Sequence, residues 1–84
     1  MKLTFKLYAT LADYLPDEAK MTNALALDVA DGTTVADLIE HFNLPPGLCH
    51  LVLIDGFFVP PCARAGRILA AGETLAIWPP IAGG

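Results

Sequence analysis

Thr34-Val35-Ala36-Asp37-Leu38-Ile39-Glu40-His41-Phe42-Asn43 reads as one amphipathic helix with both of its ends specified. Val35, Leu38, Ile39 and Phe42 fall at i, i+3, i+4 and i+7, a single apolar stripe. Asp37, Glu40 and His41 lie off that stripe. Thr34 stands at the N-cap, and Asp37 three residues on makes a variant of the capping box. Asn43 can cap the far end, and Pro45-Pro46-Gly47 forbids continuation. A helix with one apolar stripe must lay it on a surface, so the flanking segments decide the architecture.

On the N-terminal side, Leu3, Phe5 and Leu7 alternate with Thr4, Lys6 and Tyr8, the pattern of a strand with one buried face. Leu25, Leu27 and Val29 repeat that pattern until Asp31-Gly32 ends it. These two strands are expected to be antiparallel neighbours. Between them, Thr10 is expected to cap a short helix, with Asp13 in its first turn and Pro16 closing it. Residues 17–23 are polar and read as a surface loop.

On the C-terminal side, Leu51–Ile54 is a compact apolar run, and Asp55-Gly56 is a strong hairpin signal. Phe57, Phe58 and Val59 return as the second arm, which Pro60-Pro61 ends or marks as a sheet edge. Residues 63–70 read as irregular, with room for a helical turn. Ala71-Gly72-Glu73 turns into a last strand, Thr74–Trp78, with Leu75 and Ile77 inward and Thr74, Ala76 and Trp78 outward. Strand, strand, helix, strand, strand, strand is an α+β order. Right-handed crossover leaves few ways to wind it. One common solution is the ubiquitin-like β-grasp: a mixed five-stranded sheet with the helix on one face and the first and last strands parallel at its centre.

Eighty-four residues make one domain, expected to span 1–84. The apolar fraction of 55% is more than so small a domain can hide, so part of it is expected to face a partner. Net charge of −4 argues against nucleic acid or an anionic membrane as the ligand. No apolar h-region follows Lys2 and no run is long enough to span a bilayer. Cys49 and Cys62 then read as reduced thiols of a cytoplasmic protein. Their spacing, with His41 and His50, fits no zinc pattern, so no metal is expected. No nucleophile–base pairing makes the domain a catalyst by itself. Arg64 and Arg67 read as solvated loop residues, available at most to an acidic partner surface.

Two features point to function. Tyr8, Phe58 and Trp78 each fall on the face opposite their strand's core residues, so a helix covering one face leaves them together on the other. A register slip of one residue, or the 17–23 loop folding over them, would remove that patch. The second feature is the end of the chain, Trp78-Pro79-Pro80-Ile81-Ala82-Gly83-Gly84. Proline donates no amide hydrogen, so Pro79-Pro80 should stop sheet pairing and hold the exit extended. Gly83 and Gly84 have no Cβ, so this terminus can enter a slot that any side chain would block. Residues 79–84 are therefore expected to form a tail, with its carboxylate exposed without proteolysis.

The sequence resembles the MoaD/ThiS family of β-grasp sulfur carriers. Thr34-Val35-Ala36-Asp37-Leu38 matches the family's helix opening, and Val52-Leu53-Ile54-Asp55-Gly56 its hairpin, usually written with Asn before Gly. Leu69-Ala70-Ala71-Gly72-Glu73 matches a turn usually written Leu-x-Asp-Gly-Asp. Trp78 to Gly84 matches the Phe-Pro-Pro-Val-x-Gly-Gly tail. The resemblance implies that an E1-like enzyme of the MoeB/ThiF kind uses ATP and magnesium to adenylate the Gly84 carboxylate. Sulfur from a persulfide donor then displaces AMP to leave a thiocarboxylate. It implies an apolar contact surface at Tyr8, Phe58 and Trp78, continued by Pro79, Pro80 and Ile81.

The Pro-Pro tail and the length look most like the small subunit of molybdopterin synthase, whose larger, MoaE-like catalytic subunit receives the tail. Carriers for thiamine, tungsten cofactors or other thiolated metabolites stay open. So do a protein modifier that joins Gly84 to a lysine, and a subunit whose tail is only a structural plug.

Overall fold

The computed structural model describes residues 1–80. The chain runs β1 (Lys2–Leu7), a 3₁₀ segment (Ala9–Tyr14), α1 (Asp17–Lys20), β2 (Ala24–Asp28), α2 (Val35–His41), β3 (Leu51–Ile54), β4 (Phe57–Phe58) and β5 (Thr74–Trp78), with 3₁₀ turns at Pro46–Leu48 and Pro61–Ala63. The strands form one sheet in the order β2-β1-β5-β3-β4. β1 and β5 run parallel at its centre, and the other neighbours are antiparallel. This is the ubiquitin-like β-grasp, an α+β fold.

The helix forms as its ends dictate. The Asp37 amide donates to Thr34 Oγ1 at 3.1 Å, and the Thr34 amide donates back to Asp37 Oδ2 at 2.9 Å, a complete capping box. Val35 and Ala36 have no partner within the helix for their amides. They donate to the carbonyls of Arg67 and Arg64 at 3.1 and 3.0 Å. Residues 64–67 are thus irregular because they aim carbonyl groups at the helix start. At the other end Asn43 takes φ 56, the left-handed conformation that stops the helix, and its amide bonds the Glu40 carbonyl.

One face of the sheet and the helix stripe make the core. Leu3, Phe5, Leu7, Val52, Ile54, Leu75 and Ile77 point to Val35 and Leu38, with Leu11, Leu15 and Ala19 filling the open end. Phe42 stacks on Phe5 with ring centroids 4.7 Å apart. The β3–β4 connection is a two-residue turn with Asp55 at φ 50 and Gly56 at φ 87, the type I′ geometry that matches strand twist.

Three expectations need correction. The segment after β1 is a 3₁₀ helix that begins at Ala9, with Thr10 inside it and no side-chain cap. Ala9 turns the chain at φ 52, and the Leu11 amide closes onto the Tyr8 carbonyl before Thr10 can act. Residues 17–23 are not all loop: α1 places Asp17 and Glu18 in its first turn and Lys20 in its last, the arrangement that suits a helix dipole, and buries Ala19. Arg64 is not solvated. It is 8% exposed and its guanidinium donates to the carbonyls of Val59, Cys49 and His50.

Candidate functional site

The helix covers one face of the sheet, and the alternation that buries Leu75 and Ile77 turns their neighbours outward. Register aligns these outward residues in rows. Lys6 lies beside Ala76, Ala76 beside Leu53, and Leu53 beside Phe58. In the next row Trp78 lies beside Leu51, and the Tyr8 ring stacks on the Trp78 indole at 3.9 Å with planes 7° apart. Tyr8, Trp78, Leu51, Leu53 and Phe58 thus form one apolar surface. Trp78 is 39% exposed and Phe58 54%. Residues 17–20 do not fold over it, because Ala19 packs into the core on the helix side.

The sequence placed Tyr8, Phe58 and Trp78 here and missed Leu51 and Leu53. Leu51–Ile54 is apolar at every position, so its alternation shows only once the register is known. Phe57 stands opposite Ile54 but past the end of the core, 78% exposed.

β5 is paired with β1 as far as Ile77 and with β3 as far as its last residue, Trp78. The Tyr8 amide donates to the Ile77 carbonyl at 3.2 Å, and the His50 amide donates to the Trp78 carbonyl at 3.1 Å. Pro79 then offers no donor, and pairing stops. The chain therefore leaves the sheet at a fixed point beside the aromatic stack. Pro80 is exposed there, whereas Pro79, expected among the contact residues, is buried. An apolar ring with no N–H to satisfy closes the core at the end of β5. Ile81, Gly83 and Gly84, on which the tail chemistry was placed, lie outside the described residues.

Two side chains brace the approach to β5. Asp55 Oδ1 accepts the Thr74 amide at 2.9 Å, tying the hairpin turn to the start of the strand. Glu73 accepts the Ala70 amide at 2.6 Å and pairs with Arg67 at 2.7 Å. The Arg67 hydrogen bond is the main reason the Glu73 carboxyl lies below its usual range.

A carboxyl lowered by folding stabilises the fold above its unfolded value, about 4.3, and that contribution is lost as pH falls through the folded value. Glu73→Gln is therefore expected to make the urea midpoint less sensitive to pH below about 4.3. At neutral pH it should cost no more than about 1 kcal/mol, since Arg67 is 38% exposed and solvent screens the pair. An unchanged acid limb would show that the pair contributes nothing.

Both cysteines are free, Cys49 buried and Cys62 exposed. Burial pushes the Cys49 thiol up, against the opposing charge of Arg64, so it is a poor nucleophile. Among the described residues no group of three or more His, Cys, Asp or Glu could hold a metal ion. His41 and His50 are exposed. No described helix is long and apolar enough to cross a membrane.

A β-grasp body whose last strand ends beside an exposed aromatic surface defines the class of ubiquitin-like carriers and modifiers. The ThiS family model matches residues 7–84, and the chain belongs to the ThiS family. Among solved structures it is similar to SAMP1 from Haloferax volcanii, with 26% identity over the whole of both chains and a TM-score of 0.67. It is also similar to the Haloferax volcanii HVO 2177 protein, with 24% identity, all of this chain and 87% of the other covered, and a TM-score of 0.74. A further likeness is to small archaeal modifier protein 1 of H. volcanii, at 23% identity, 95% and 98% coverage and a TM-score of 0.63. The comparison with curated proteins found no match.

Proposed function

We propose that this protein is a sulfur carrier that delivers sulfur as a Gly84 thiocarboxylate, with the small subunit of molybdopterin synthase as its nearest role. The observation that carries the reading is the exit of β5. The strand is clamped through Trp78, stands beside an apolar surface, and is followed by residues 79–84, which end in Gly83-Gly84. Extended, that segment reaches roughly 20 Å. A partner can thus grip the body at Tyr8, Phe58 and Trp78, take Pro80 and Ile81 along its entrance, and receive the glycines in a buried pocket.

A carboxylate is a poor acyl donor because its leaving group would be oxide. In the E1-like enzyme one carboxylate oxygen of Gly84 attacks the α-phosphorus of magnesium-bound ATP, and pyrophosphate leaves. A persulfide sulfur then attacks the acyl carbon and AMP leaves. A thiol reductant breaks the resulting sulfur–sulfur bond and frees the thiocarboxylate. The carrier supplies no acid, base or metal to these steps; it supplies position. A MoaE-like acceptor would then consume the sulfur and return the carboxylate. The cytoplasm suits this cycle, since Cys49 and Cys62 are both thiols.

A second reading is favoured by the full-length likeness to SAMP1: a modifier whose Gly84 is joined to a lysine of another protein. Mass spectrometry after incubation with an E1-like enzyme, ATP, magnesium and a persulfide donor separates the two. Replacement of one oxygen by sulfur at Gly84 is the expected result. Lysine-linked adducts without that exchange would establish the modifier instead, and an unaltered mass would overturn both.

A further inference from the structure

The two edges of the sheet are built differently. β4 is two residues long and runs into Pro60-Pro61, so that edge is too short and too proline-rich to pair. β2, at the other edge, is Ala24-Leu25-Ala26-Leu27-Asp28, with no proline, lysine or bulge. Its backbone can be assigned atom by atom. Met1 and Val29 exchange both hydrogen bonds, at 2.8 and 2.9 Å, and Leu7 donates to Asn23 at 3.2 Å. With Leu3 opposite Leu27 and Phe5 opposite Leu25, every second residue from Asn23 to Val29 spends its peptide groups on β1. The N–H and C=O of Ala26 and Asp28 therefore point away from the sheet. No hydrogen bond reaches them among the described residues. At the Ala24 end Thr22 Oγ1 already donates to the carbonyl, so the open stretch is 26–28.

A cleft of about 430 Å³ lies directly under that stretch, between β2 and α2. Leu27, Val29, Leu38 and Phe42 give it an apolar floor, and three of these four stay partly accessible. Its rim is acidic. Asp28 holds the Met1 ammonium at 3.1 Å and is otherwise 73% exposed. Asp37 uses one carboxylate oxygen on the Thr34 amide. No lysine or arginine lines the cleft.

We propose that residues 26–28 and this cleft dock an extended peptide segment, added to the sheet as a sixth strand, with alternate branched apolar side chains and a flanking lysine or arginine. The backbone of Ala26 and Asp28 would supply its hydrogen bonds. The cleft would take every second side chain, because those beside Leu27 and Val29 face α2. The basic flank would meet Asp28 and Asp37. This surface is separate from Tyr8, Phe58 and Trp78, so the carrier could be held here while its exit strand is engaged.

The test is titration of the isotope-labelled full chain with acetyl-Lys-Lys-Ile-Val-Ile-Val-Ile-amide, followed by NMR, beside the same peptide with glutamates for lysines. Shifts at Ala26, Asp28, Leu38 and Phe42, with slowed amide exchange at Ala26 and Asp28, are the expected result. The glutamate peptide should bind at least about 10-fold more weakly. Ala26→Pro removes only an outward N–H, so it should leave β1 pairing intact and weaken binding by about 10-fold or more. Asp28→Lys should reverse the order of the two peptides, and this holds the proposal to account if Ala26→Pro misfolds. Three outcomes overturn it: no binding at millimolar peptide, shifts confined to the Trp78 surface, or β2 protection that grows with protein concentration alone. The last would make the occupant a second copy.

Discussion

Deleting Gly84, or adding one alanine after it, is expected to reduce adenylation and sulfur transfer at least about 100-fold, with the urea midpoint unchanged. The reaction requires one carboxylate oxygen in line with a phosphorus atom held by the partner. In the proposed role a partner grips the body at its sheet face; β5 is held by β1 as far as Ile77 and by β3 as far as Trp78, so the length of residues 79–84 would set where that oxygen can go. One residue more or fewer moves the carboxylate by roughly 3.3 Å, and misplacement by about 1 Å already costs about 100-fold. In the proposed role the extra alanine would also bring a Cβ to a slot that the bare glycines enter because they have none. The body is untouched, so KM for the carrier should stay near its original value while kcat falls. ATP–pyrophosphate exchange and single-turnover sulfur release would both read it. An undiminished rate in either variant would remove Gly84 as the reacting residue. A raised KM with kcat unchanged would mean that the end of the tail is an anchor, with the reacting group elsewhere.

What could be read from the sequence is what is decided over a few residues. Thr34 and Asp37 form their capping box three positions apart, and Asp55-Gly56 closes its turn within four residues. Leu75 and Ile77 alternate with Thr74 and Ala76, so β5 and, by continuing the alternation, the outward face of Trp78 followed directly. Arg64 shows the converse. Its three carbonyl partners lie 5, 14 and 15 residues away, and nothing local distinguishes it from a solvated arginine. α1 was missed for another reason: Asp17, Glu18 and Lys20 carry the charge order of a helix, but with Ala19 as the one buried residue there is no apolar period to notice. Leu53 was hidden in a run with no polar residue to break it. The candidate surface was thus half legible, through Tyr8, Phe58 and Trp78, and needed the strand register to be completed.

Trp78→Ala is expected to weaken binding to the E1-like enzyme or the sulfur acceptor by about 30-fold or more, the cost of losing a central aromatic anchor. The free carrier should lose only about 1 kcal/mol of stability. The indole is 39% exposed, and its main intramolecular contact is the Tyr8 ring at 3.9 Å. That imbalance between binding and folding is what separates a contact surface from a core. A residue serving only the fold would show the reverse, a large loss of stability with affinity intact among molecules that remain folded. Trp78→Phe keeps an aromatic plane for Tyr8 to stack on, so it should retain most of the affinity. Met21→Ala, which removes a side chain that is 94% exposed after α1, should change neither quantity. Calorimetric titration of each variant against the partner, with urea unfolding of the same samples, supplies both numbers. Equal affinities for Trp78→Ala and the parent protein would mean that the partner grips the body elsewhere. The fixed exit of β5 would then lose its link to where the tail is received.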